Sequence, residues 1–145
     1  MLRSTSASGR GMRAMVIANA VGAAVSMAFS VVGLLSPGLA LSGGTDQVTP
    51  LADLYARLYA ARALPLGAVL LYQLLIGRTG RGLAPLLLVG GAVQVVDAVI
   101  GASSRSPGMA VGGTVLAVLH LGLAARLARS TRAVGSTGLP IPEAA

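Results

Sequence analysis

Residues 49–77 read TPLADLYARLYAARALPLGAVLLYQLLIG, and how much of this stretch lies in hydrocarbon decides the fold. Its uncharged part, residues 63–77, holds only 15 residues. At 1.5 Å per residue that is about 22 Å of helix, short of the roughly 30 Å hydrocarbon core of a bilayer. A crossing helix must therefore extend back through Arg62. The start is marked near Pro50, with Thr49 as a cap, proline at the first helical position and Asp53 in the first turn. Leu51, Leu54, Tyr55, Leu58 and Tyr59 give the beginning of this helix an apolar, aromatic face suited to the membrane interface. Pro65 lacks the N–H that would reach the carbonyl of Ala61, so a kink and a freed carbonyl beside Arg62 are expected.

Working outward, residues 14–35 form an uncharged run of 22 residues, long enough to span. It ends at Ser36, Pro37 and Gly38, where proline cannot continue the helix and glycine takes the turn. Residues 82–104 are broken by one charge, Asp97, and residues 106–125 by none, although they carry His120. The 145 residues are 54% hydrophobic and 10% charged, with a mean hydropathy of +0.81, far from the balance of a soluble domain. The sequence thus predicts an all-α chain, an antiparallel bundle of four transmembrane helices at about 14–35, 50–77, 82–103 and 106–128. A basic N-terminus at 1–13 and a flexible Gly/Ser/Pro tail at 129–145 flank it.

All eleven basic residues are arginine, and their placement sets the expected orientation. Arg3, Arg10 and Arg13 precede the first span, Arg78 and Arg81 separate the second from the third, and Arg126, Arg129 and Arg132 follow the fourth. The other side holds Arg57, Arg105, Asp46 and Asp53. By the positive-inside rule both termini are cytoplasmic and the protein sits in the inner membrane. Ala40, Leu41 and Ser42 resemble a small-residue cleavage site, but a 22-residue apolar run exceeds a signal peptide's ~7 to 15, so the first helix is expected to be retained as an anchor.

The net charge of +7 invites a nucleic-acid reading. One Phe, three Tyr and no Trp leave little for base stacking, and the arginines lie between apolar blocks, so no nucleic-acid partner is expected. Without cysteine there is no disulfide, thiolate metal site or cysteine nucleophile. One His and four acidic residues supply too few ligands for a metal centre in a bundle, and neither metal nor cofactor is expected. The turn GRTGRG at 77–82 lacks the lysine and the strand-to-helix context of a phosphate loop and reads as a tight connection.

Counting from the arginines that bound each span sorts the polar residues into two layers. Arg62 and Arg78 are 16 residues apart, as are Asp97 and Arg81, so both stand about 24 Å above that turn. An Arg62–Asp97 ion pair follows, since either charge alone in hydrocarbon costs about 2.5 to 3.5 kcal/mol on insertion scales. Tyr59 and Gln94 sit one turn from a member of this pair, and Ser26 and Ser30 reach similar depth. The candidate ligand-binding set is Tyr59, Arg62, Gln94, Asp97 and Ser30, with Asp97 and Arg62 as the candidate catalytic groups. Asn19, Gln73 and His120 form a second polar layer nearer the arginines, too far from Asp97 for a direct acid–base dyad. Structural readings stand beside these: a register clamp for the charge pair, interhelical hydrogen bonding for His120, and plain packing for the Gly22, Ser26, Ser30, Gly33 stripe.

The run Tyr59-Ala60-Ala61-Arg62 followed by Pro65 and Gly67, the Arg/Gly turn, Gln94-Val95-Val96-Asp97 and a last helix with glycines and His120 resemble the DoxX-like superfamily. More specifically, they resemble its small actinobacterial four-helix members of unknown function, over about residues 14–128. The resemblance implies the four-helix fold and no particular activity. Three functional classes stay open: a partner subunit or lipid-binding module, a cofactor-free isomerase or hydrolase acting on an isoprenoid or sterol-like lipid with Asp97 as acid/base, and a proton-driven transporter.

Overall fold

The computed structural model describes residues 4–42, 48–76 and 82–135, and every element among them is a helix. They are α1 (Ser4–Leu35), α2 (Pro37–Ser42), α3 (Pro50–Leu75), α4 (Leu83–Ser103) and α5 (Pro107–Gly135). Four of them, α1, α3, α4 and α5, are long and apolar enough to cross a membrane. The apolar side chains face outward: Phe29 is 70% exposed, and Ile17, Val99 and Val118 are similarly open. Asn19, Ser30, Asp97 and His120 are buried instead. In water that distribution would be unstable, whereas in lipid, which is as apolar as leucine, outward apolar residues cost nothing and inward polar ones find partners. This is a small, multi-pass integral membrane protein.

Local signals explain most boundaries. Thr49 Oγ1 accepts from the Ala52 N–H at 3.2 Å, Pro50 starts α3, and Arg57 holds Asp53 through two bonds of 2.9 and 3.1 Å. The helix continues without interruption through Pro65 to Leu75. Ser36 ends α1, but Pro37 and Gly38, expected to form a turn, open the short helix α2, which contains Ala40, Leu41 and Ser42. Two ends run past the apolar runs. α1 begins at Ser4 and carries Arg10 and Arg13 within it, and α5 reaches Gly135, so residues 129–135, expected as flexible tail, are helical. Leaving the hydrocarbon does not by itself end a helix, and residues 129–135 include arginine and alanine, both strong helix formers. Residues 136–145 and most of the 77–82 turn lie outside the described residues.

The helices associate as two pairs. α4 packs along α5 most extensively and α1 along α3 next, while α1 with α5 and α3 with α4 meet more sparsely. Between α4 and α5 the approach is backbone to backbone: a Cβ on Gly113 would lie 2.8 Å from the Ala98 nitrogen and 2.9 Å from the Gln94 carbonyl oxygen. Gly101 meets the backbone of Met109 and Ala110 equally closely. Only glycine permits such contact, and close packing is the chief attraction between helices in lipid. An apolar core of Ala23, Leu70, Leu74, Leu83, Leu87 and Leu123, extended by Ala124 and Leu127, fills the end of the bundle nearer the arginines.

Candidate functional site

Beyond that core, where the two pairs meet, the packing opens into a cavity of about 270 Å³ to which α1, α3, α4 and α5 all contribute. Its polar lining is Ser26, Tyr59, Arg62, Gln94 and His120, and the rest is apolar or glycine. The opening follows from the residues that flank it. Gly22 already meets Leu116, Gly67 meets Met27, and Gly90 meets the His120 ring, so the helices touch at these points and leave space between them.

The Arg62–Asp97 ion pair is not formed. Among the described residues the one salt bridge is Arg57–Asp53. Asp97, 8% exposed, accepts a hydrogen bond of 3.0 Å from the Tyr59 hydroxyl at Oδ2. Arg62 turns back along its own helix, its Nε donating to the Leu58 carbonyl at 3.0 Å. The physical reason is direction. Each Cα–Cβ bond in a helix leans toward the N-terminus, which carries the arginine stem back toward Leu58, one turn earlier on its own helix. Residue counting gives height along an axis but not the angle at which two helices face each other. Arg62 has no acidic partner among the described residues and is one of the residues lining the cavity.

Of the outer set, Tyr59, Arg62 and Gln94 therefore line one cavity, and Asp97 stands behind Tyr59 without lining it. Ser30 is buried but does not line it either, because its hydroxyl donates to the Ser26 carbonyl at 3.0 Å. Ser26, one turn nearer the arginines, takes the position expected of Ser30.

The inner layer divides. Asn19, fully buried, donates from Nδ2 to the carbonyls of Met15 (2.8 Å) and Leu119 (3.1 Å), joining α1 to α5. His120 follows Leu119 and reaches the same cavity as Tyr59 and Arg62, which joins the two predicted layers into one site. Gln73 lines no described cavity. Asn19 Oδ1 and His120 Nδ1 are buried without a partner among the described residues. A buried polar atom without a hydrogen bond is rare enough to require a reason, and a cavity-lining histidine has one available in a ligand. The sequence signal for this merger was the pair of glycines at 90 and 91 opposite His120 and Leu121, which lets the ring lie against α4.

No family model matches the chain, and no curated protein or solved structure matches it either.

Proposed function

We propose that the protein binds a small anionic amphiphile in the cavity between its helix pairs, as a lipid- or small-molecule-binding module or as the subunit of a membrane assembly. The observation that carries this reading is Arg62, an arginine without an acidic partner among the described residues that lines a mostly apolar hollow of about 270 Å³. A carboxylate or phosphate monoester is the group it suits. The volume lies just below the ~300 Å³ at which drug-sized sites begin, so the ligand is small or inserts only one end. Gln94 and His120 offer further polar contacts along the wall.

The surrounding architecture we take to be an antiparallel bundle in the inner membrane with both termini cytoplasmic. Support comes from contacts whose numbers rise on one helix as they fall on the other, such as Gly101 with Ala110 and Gly91 with Leu121, and from the arginine distribution. Membership in the DoxX-like superfamily fits the four spans and rests on the short motifs quoted above.

Calorimetric titration of the detergent-purified chain with decanoate, and with decanol as its neutral counterpart, tests the reading. Arg62→Gln should weaken decanoate about tenfold or more and leave decanol unchanged. Ala63→Leu, which fills the wall, should remove both. Decanoate binding indifferent to both substitutions would end the proposal.

A second reading is favoured by one contact: Tyr59 lines the cavity while its hydroxyl donates to Asp97. This suits a cofactor-free isomerase or hydrolase acting on an isoprenoid or sterol-like lipid, with Tyr59 meeting the substrate and Asp97 accepting the proton. Turnover that survives Asp97→Asn unchanged would remove it.

A further inference from the structure

Opposite the outer half of the bundle, α1 and α5 meet at the arginine-rich ends of their spans. There Met15, Gly122, Ala125, Arg126 and Arg129 line a second hollow. The Arg126 guanidinium lies against Gly11, whose Cβ position would be 3.6 Å from Nη2, and Nη1 reaches the Met15 sulfur at 3.6 Å. A thioether is a weak acceptor, far below what a guanidinium can engage. Arg10 and Arg13 flank Gly11 on α1, and none of these four arginines has an acidic partner among the described residues. Two of these positive charges, Arg126 and Arg129, thus line one hollow between two helices, with Arg10 and Arg13 on the same end of α1.

We infer that this hollow is a binding site for one anionic phospholipid, its phosphate held by Arg126 and Arg129 and its acyl chain running along α5. The apolar part of the site distinguishes the lipid from free phosphate. Arg129, Ala125, Gly122 and Val118 recur at intervals of four, three and four residues, which places them on one stripe of α5. The stripe continues through Val115 and Val111, and Val118, Val115 and Val111 are all exposed. A chain anchored by its phosphate at Arg129 therefore has a continuous apolar track leading into the hydrocarbon. Met15, Gly122 and Ala125 form a floor with no polar side chain, which inorganic phosphate would not use. Basic hollows between transmembrane helices at the arginine-rich side have the chemistry for acidic headgroups. The site shares no lining residue with the central cavity and does not depend on its occupant.

The test uses the full chain in nanodiscs of phosphatidylcholine and phosphatidylglycerol in equal amounts, with native mass spectrometry counting the lipids retained after release. The wild type should retain phosphatidylglycerol selectively, and R126Q/R129Q should reduce that retention about fivefold for each arginine removed. R126K/R129K, which keeps the charge, should retain most of it, and R105Q, in the connection before the opposite end of α5, should change nothing. Circular dichroism checks that each variant is folded. Should the glutamine pair not fold, the wild type still decides, because its selectivity must fall as salt rises. The inference is overturned if R126Q/R129Q retains phosphatidylglycerol like the wild type, if R105Q loses as much, if selectivity ignores salt, or if millimolar inorganic phosphate displaces the lipid.

Discussion

The interface between α4 and α5 and the seam between the two helix pairs are built from the same residues, small and apolar with an occasional polar group, yet one is closed and the other hollow. At Gly101 and Gly113 the small residue faces backbone, so the helices come into direct contact. At the seam, Gly22 of α1 faces the Leu116 side chain of α5, which holds the neighbouring helix at side-chain distance. Glycine therefore either closes an interface or spaces it, and what stands opposite decides which. The closed pair is suited to act as a fixed frame and the seam as the place where something enters.

The largest effect should come from enlarging a residue in the frame. Gly113→Leu has nowhere to put its side chain, since Ala98 and Gln94 present backbone, and should cost about 3 kcal/mol or more. Enlarging Ala63 in the seam should be close to neutral, as its side chain borders empty space. Thermal unfolding of both variants in one detergent checks the contrast, and equal losses would erase the distinction between frame and seam.

Next in size is the fate of the two intramembrane charges. Asp97→Ala leaves the Tyr59 hydroxyl without its acceptor and should destabilise by about 1 to 3 kcal/mol, whereas Asp97→Asn keeps an acceptor and should lose less. Arg62→Ala should cost under about 1 kcal/mol, because its one bond is to a carbonyl of its own helix. Chemical unfolding of the three variants reads this directly, and a loss in Arg62→Ala as large as in Asp97→Ala would restore the ion pair.

The smallest effect lies in the connection between α4 and α5. Arg105 has φ of 55°, the left-handed region that costs a residue with a Cβ about 1 to 2 kcal/mol. Glycine removes that strain but loses more backbone freedom on folding, so Arg105→Gly should stabilise by a net of about 0.5 kcal/mol. A lowered melting temperature would mean that the arginine side chain holds the turn.

The candidate site was legible in part. Tyr59, Arg62 and Gln94 could be identified because polar residues stand out in apolar sequence and helical rise gives their height. His120 falls by height into a separate layer, since height along the axis cannot show that one hollow spans two levels. Ser30 and Ser26 could not be told apart by depth. A bond from the Ser30 hydroxyl to a carbonyl four residues back removes it from the cavity, and that depends on rotamer.

By itself, the sequence determined four apolar helices, the cap and first turn of α3, the stop at Ser36 and the polar residues confined between spans. These follow from length against hydrocarbon thickness and from hydrogen bonds made within a few residues. Only the tertiary structure decided that Tyr59 rather than Arg62 meets Asp97, that His120 joins the outer set, and that Arg126 lies against α1. Each of these depends on the rotation of one helix relative to another, which is set by which glycines meet backbone and which meet side chains.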